Sequence, residues 1–282
     1  MSKNVIIASD STCDLSSELI ERYQIKILPL IVNLGDKQYH DGVDINPDII
    51  YQYYEETGIL PKTAALNVAD FDEFFCQQQA LGNEVVIFTI SSEMSSTFNN
   101  ARLAAQQYDN VFPVNTKNLS TGGGLLVVAA AEMAAQGKSA KEIADACSAL
   151  TDKVDASFVI DNLEFLHKGG RCSAIAAFGA NLLQLKPCVM VRDGKMIVGK
   201  KYRGKFRMTL EKYVADRIGD ASDIDTDRIF VTHAGCDADV VEQCVKQVEA
   251  LGVFKEIFVT RAGCTVSSHC GRNTLGVLFI RK

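Results

Sequence analysis

The chain has 282 residues, 47% of them hydrophobic, and a formal net charge of −6. That is enough apolar material for one large domain or two ordinary ones, and it excludes a disordered chain. With 29 Lys and Arg against 35 Asp and Glu, it also excludes a general nucleic-acid binder, which needs a cationic surplus to contact phosphates.

In chain order, the first half repeats one pattern three times. NVIIAS (4–9) is predicted to be a buried strand, and DLSSELIERY (14–23) a helix with Asp or Ser ahead of a Glu as its start signal. EVVIFTI (84–90) and STFNNARLAAQQY (96–108) repeat strand and helix, as do NVFPVN (110–115) and TGGGLLVVAAAEMAAQG (121–137). Short apolar strands alternating with helices indicate βα units and a mostly parallel, Rossmann-like sheet. Residues 25–65 interrupt the pattern. They read as strand, Gly-Asp turn, strand and a short helix from Pro47, an insertion laid over the sheet edge.

The second half changes character after the helix AKEIADACSALTDKV (140–154). Asp193-Gly194 joins two short strands as a type I′ hairpin. RIFVTHAG and EIFVTRAG flank the helix 237–251, and GVLFIRK closes the chain as a strand. The expected fold class is therefore α/β in two domains. Residues 1–160 form the α/β domain, and 161–282 an α+β domain with a mixed or antiparallel sheet.

The longest apolar run, LLVVAAA (125–131), stops at Glu132, so no stable membrane insertion is expected. The run Val5–Ala8 is too short for a secretory segment, and the expected location is cytoplasmic. The nine cysteines are odd in number and form no C-x-x-C pair, which suits reduced thiols. Cys264, His269 and Cys270 lack a fourth ligand at suitable spacing, so no metal is expected.

Chemistry concentrates at the βα turns, where open α/β sheets bind ligands. They read SDST (9–12), SSEMSST (91–97) and NTKNLSTGGG (115–124). Hydroxyls beside helix N-termini make a seat for a carboxylate or phosphate, although each helix needs one such residue as its own cap. Five hydroxyls within 91–97 exceed that need. TGGG lacks the spacing of a nucleotide loop. A Ser95 nucleophile with His269 as base and Asp10 as orienting group is a further option, but no G-x-S-x-G elbow supports it. His269 sits in a polar, Gly-containing loop, VSSHCGRNTLG. Residues 192–212 carry eight Lys and Arg against Asp193 and Glu211, which is either a solvated hairpin or a docking face for an acidic partner or a phosphate.

ASDSTCDL, LPLIV…YHDGVDI, PKTAA, ISSEMSSTFNNA, LEFLHKGGRCS, KPCVMVRDGK…KKYRGK and SSHCGRNTLGV stand in the order found in DegV family proteins. Over residues 5–280 the chain resembles that family. The resemblance implies a bacterial two-domain protein that buries one long-chain fatty acid, its tail in an apolar tunnel and its carboxylate held by hydroxyls. By position, Thr63, Ser95 and His269 match the carboxylate contacts. Arg171 and Arg203 match basic positions near the head group or at a kinase contact. Carrier members present the acid to a separate fatty acid kinase that makes an acyl phosphate. The implied protein is thus a carrier and not an enzyme, a monomer with no cofactor beyond the fatty acid, its kinase docking at 192–212.

Four departures from the family pattern bear on the head group. Ala64 and Ala65 replace Ser-Gln after Thr63, Ser96 stands for Gly, Asn115 for Asp, and Arg272-Asn273 for Pro-Gly. They leave open a second reading, another anionic amphiphile on the same scaffold. A third is an esterase or other hydrolase using Ser95.

Overall fold

The computed structural model describes residues 4–172 and 185–282. Among them, the strands β1 (Val5–Asp10), β2 (Lys26–Leu28), β6 (Glu84–Thr89) and β7 (Val111–Asn115) form a parallel sheet in the order β2-β1-β6-β7. Val85 to Thr89 of β6 are all buried, as a central strand covered on both faces requires. Pro113, which has no N–H to donate, lies on the edge strand β7. Helices α1 (Ser17–Arg22), α3 (Val68–Ala80) and α4 (Thr97–Ala105) return the chain between strands.

The segment read as one strand from Ile25 is two. Pro29 follows β2, and the next strand, β3 (Ile31–Leu34), leaves the parallel sheet. It pairs with β4 (Lys37–His40) and β5 (Lys62–Ala64) in a separate sheet ordered β4-β3-β5. Pro47 does begin α2 (Pro47–Thr57), behind an Asn46 cap. This unit does not merely cover a sheet edge. Val32, Ile50 and Tyr51 share a core with Phe165 and Cys264 from the far half of the chain.

Helix α5 (Thr121–Ala135) lies buried between the two large sheets, touching β1 on one side and the strands β8 (Val154–Ile160) and β13 (Thr274–Ile280) on the other. Its glycines answer to that packing and not to a phosphate. A Cβ on Gly122 would sit 2.3 Å from the Asn118 side chain, and one on Gly124 2.8 Å from the Cys13 carbonyl. Helix α6 (Ala140–Leu150) follows, opened by a Ser139–Glu142 capping box.

The second sheet is mixed, in the order β10-β9-β8-β13-β11-β12. β8 enters it directly after α6, a strand that periodicity did not single out. The hairpin of β9 (Leu185–Arg192) and β10 (Lys195–Arg203) turns on Asp193 and Gly194, both at positive φ, as a type I′ turn demands. Strands β11 (Arg228–Ala234) and β12 (Glu256–Arg261) run parallel through α9 (Ala238–Glu249), while α8 (Phe206–Ile218) covers the same sheet. The stretch around His269 is not a polar loop. It is helix α10 (Cys264–Cys270), buried except for partial exposure at His269. Among the described residues no helix is long and apolar enough to cross a membrane.

Candidate functional site

A cavity of about 360 Å³ lies where the parallel sheet, the small sheet and α10 meet. The turn after β6 contributes Ile90, Met94, Ser95 and Ser96. β5 and the residue after it contribute Thr63, Ala64 and Ala65, and α10 contributes Thr265, Val266, His269 and Cys270. Arg171, from the stretch after α7 (Glu164–Gly169), is the one charged side chain among its described lining residues. Leu119, Val266 and Cys270 also line a narrow space of about 30 Å³ that continues between the sheets, walled by Ala156, Phe158, Val191 and Leu278. One end is polar and the other apolar, which is the division an amphiphile needs.

At the polar end, the Thr63 hydroxyl is 2.8 Å from His269 Nε2. Burial, with Arg171 nearby as a lesser cause, pulls the His269 pKa down to about 4, so the ring is neutral at pH 7. Its Nδ1 is buried without a hydrogen-bond partner among the described residues. The helix bearing it is fixed by Asp41, a residue that sequence reasoning did not assign. Asp41 accepts the Cys264 and Thr265 amides at 2.7 and 3.0 Å and the Ser11 hydroxyl at 3.0 Å. A buried carboxylate thereby satisfies the first N–H groups of α10 and complements its dipole. The only advance signal was Asp41's place in YHDGVD.

Ser95 adopts a compact turn at the start of α4. Its oxygen accepts the Thr97 amide at 3.3 Å and lies 2.8 Å from the Thr97 hydroxyl. Among the described residues no acceptor beyond Thr97 engages it, so it has a proton to offer towards the cavity when Thr97 donates to it.

The three hydroxyl-rich turns do not form one common seat. In the first, Thr12 binds Asp10 at 2.5 Å and Ser11 serves Asp41. In the third, Ser120 donates to Asp14 at 2.5 Å and Thr121 meets Thr232 at 2.6 Å. Burial pushes Asp10 up to about 6 and Asp14 to about 8, and these hydroxyls partner carboxylates that water cannot reach. Of the three, the turn at 91–97 brings hydroxyls to the cavity lining, through Ser95 and Ser96, while the third brings only the apolar Leu119. Even at 91–97, Ser91 is structural, donating to the Gly194 carbonyl at 2.7 Å and tying the turn to the β9–β10 hairpin.

Nor is a hydrolytic triad assembled. Ser95 pairs with Thr97, His269 with Thr63, and Asp10 with Thr12 and the Ile90 amide. Among the departures, Ala64 and Ala65 give the cavity an apolar wall, while Asn115 is spent on the Ser92 and Lys117 backbone. Arg272 lies over the Tyr51 ring at 4.5 Å and beside Glu55, outside the cavity lining.

Arg203 ends β10 and, unlike Arg171, is not among the described residues that line the cavity. The basic stretch around it covers an edge strand, where lysines discourage pairing with other chains. Part of its charge is matched within the chain: Lys200 binds Asp216 at 2.6 Å, Lys195 lies 3.2 Å from Glu93, and Arg207 pairs with Asp239. Among the described residues no group of His, Cys, Asp and Glu is placed to hold a metal ion.

The family model described as "Uncharacterised protein, DegV family" matches residues 4–282. A DegV domain-containing protein of Clostridium acetobutylicum is 32% identical over 282 residues, 99% of each chain. A DegV family protein from Thermus thermophilus, described for its fatty acid binding, superposes with a TM-score of 0.89 at 29% identity, over 99% of this chain and 100% of that one. A stearic-acid-binding protein from Eubacterium ventriosum does so with a TM-score of 0.84 at 27% identity, over 99% and 98%.

Proposed function

The chain belongs to the DegV family, and from that membership we propose that it carries one long-chain fatty acid, the carboxylate held by Thr63, Ser95 and His269 with Arg171 at the mouth. The observation that carries this reading is a cavity whose polar end holds the Thr63–His269 pair and which shares Leu119, Val266 and Cys270 with a narrow apolar space between two sheets. Relatives whose structures bind fatty acids share the fold over nearly their whole length.

Each buried methylene contributes about 0.8 kcal/mol, offset in part by the loss of ligand freedom. The head group supplies orientation. The Thr63 and Ser95 hydroxyls hold a carboxylate by hydrogen bonds, Thr63 oriented by the neutral His269 imidazole at 2.8 Å, and leave its lone pairs available. A kinase partner uses that availability. A carboxylate oxygen attacks the terminal phosphorus of a nucleoside triphosphate, the bond to the bridging oxygen breaks, and the diphosphate leaves with the electron pair. Docking of that kinase on the basic face 192–212, with Arg203 at its rim, belongs to the same proposal.

Mass spectrometry of an organic extract from freshly purified, denatured protein tests it. A stoichiometric fatty acid is expected. A protein that carries none and takes up no added hexadecanoic acid refutes the reading in favour of a different amphiphile, with the apolar wall at Ala64 and Ala65 as the first cause to examine.

A further inference from the structure

Strand β12 ends the mixed sheet, and its outer edge pairs with no other strand among the described residues. The amides of Glu256 and Ala262 donate to the Asp227 and His233 carbonyls on the β11 side. By the alternation of a parallel pair, Ile257, Val259 and Arg261 turn their N–H and C=O groups outward. Two other sheet edges are guarded against such pairing. β10 carries Lys195, Lys200 and Lys201 and a register shift between Val198 and Lys201, and β7 carries Pro113. β12, EIFVTR, has no lysine, proline or register shift, and its Val259 is 45% exposed. Its ends are pinned, Glu256 by Arg22 at 2.8 Å and Arg261 by Asp48 at 2.9 Å.

Helix α9 runs beside this edge and packs on both β11 and β12. Its flank towards α8 is occupied, since Gln243 and Gln247 bind Glu211 at 2.7 and 2.9 Å. Its other flank, with Glu242, Val245 and Lys246, lines an open groove of about 510 Å³ that also holds Val259.

We infer that this edge and groove receive a second copy of the chain, β12 pairing antiparallel with its own counterpart about a two-fold axis. Outward residues must meet outward residues, and a register centred on Val259 engages all three. It sets Val259 against Val259 and Ile257 against Arg261. Strands lie about 4.8 Å apart, so α9, resting on β11 and β12 alike, stands about one strand spacing from the axis. Its counterpart is then about 10 Å away, the separation of two helices in contact, and each fills the other's groove. The charges select a second copy over an unrelated strand. Glu242 and Lys246, paired at 2.6 Å within the chain, stand one turn apart, and the two-fold turns each towards the other's counterpart. The pairing consumes the edge, so assembly stops at two. This departs from the monomer implied by the family resemblance and does not depend on the carrier reading.

Sedimentation velocity of the full chain over about a hundredfold range of concentration tests it. A dimer is expected, giving way to monomer on dilution. Val259→Lys sets two cations face to face across the axis and should weaken the dimer by about a hundredfold. Val259→Pro removes an outward amide that the fold does not use and should act alike, whereas Val259→Ile should keep the dimer. Glu242→Lys alone and Lys246→Glu alone should each weaken self-association, and mixing the two variants should restore it. Far-ultraviolet circular dichroism checks that each variant is folded. A native chain that is monomeric at every concentration overturns the inference. So does a dimer indifferent to Val259→Lys and Val259→Pro, a mixture that stays monomeric, or growth beyond two copies.

Discussion

Thr63 and His269 stand 206 residues apart in sequence and meet side chain to side chain at 2.8 Å. One comes from the edge strand of the small sheet, the other from the last turn of α10. Both line the polar end of the cavity, so on the proposed carrier reading changes at either residue act on the head group.

Thr63→Val removes the hydroxyl with little change of shape. Affinity for hexadecanoic acid should fall by about 1 kcal/mol, the worth of one hydrogen bond, and Thr63→Ser should recover it. Titration calorimetry measures this, and an unchanged dissociation constant in Thr63→Val would exclude Thr63 from the seat.

His269 makes stability depend on pH. Its pKa lies near 4 in the folded chain and 6.5 is the ordinary value, so between those limits the unfolded chain binds the extra proton. Stability from this residue is full above pH 6.5 and declines as pH falls towards 4, by at most about 1.4 kcal/mol per pH unit. Asp10 and Asp14, raised by burial to about 6 and 8, act with the opposite sign. The comparison is therefore native chain against His269→Gln by urea unfolding at pH 7 and pH 5. The variant should lose less stability on acidification; parallel losses would mean that His269 is not held neutral.

Asp41→Ala should leave two amides at the start of α10 and the Ser11 hydroxyl without their acceptor. The loss is expected to be about 3 kcal/mol, with Asp41→Asn milder because one acceptor remains. Thermal unfolding gives the stability, and fatty acid affinity should fall with it, since α10 carries His269. A variant with native stability would show the cap to be dispensable.

Val266 lines both the main cavity and its apolar continuation. Val266→Phe should obstruct the passage between them and shift preference towards shorter acids, seen as a lower mean chain length in extracted lipid. An unaltered profile would place the tail along another path.

Much of the architecture was legible in the residues. The runs NVIIAS and EVVIFTI read as strands, and Asp193-Gly194 as a tight hairpin turn. The helix holding His269 was not legible. CTVSSHC is mostly polar, and its burial comes from α2, α7 and β5 closing around it, with its cap supplied by Asp41 from 223 residues upstream. Similarly, the hydroxyls of SDST and NTKNLST look the same as those of SSEMSST in sequence. What separates them is the presence of buried Asp10, Asp14 and Asp41, a matter of tertiary packing. Resemblance placed Thr63, Ser95, Arg171 and His269, which the fold gathers on one cavity, and Arg203, which it does not.

The cavity wall is drawn from three separately hydrogen-bonded units: Ser95 at the parallel sheet, Thr63 on the small sheet, and His269 beside the mixed sheet. A molecule seated there works as a rivet through three plates. Its binding energy adds to the work of pulling any plate away, in proportion to the logarithm of its concentration over its dissociation constant. The small sheet owes its core largely to α2, Phe165 and Cys264, so it is the plate freest to lift once the rivet is withdrawn. Amide exchange across β3, β4 and β5 should then quicken in the emptied protein far more than at β6.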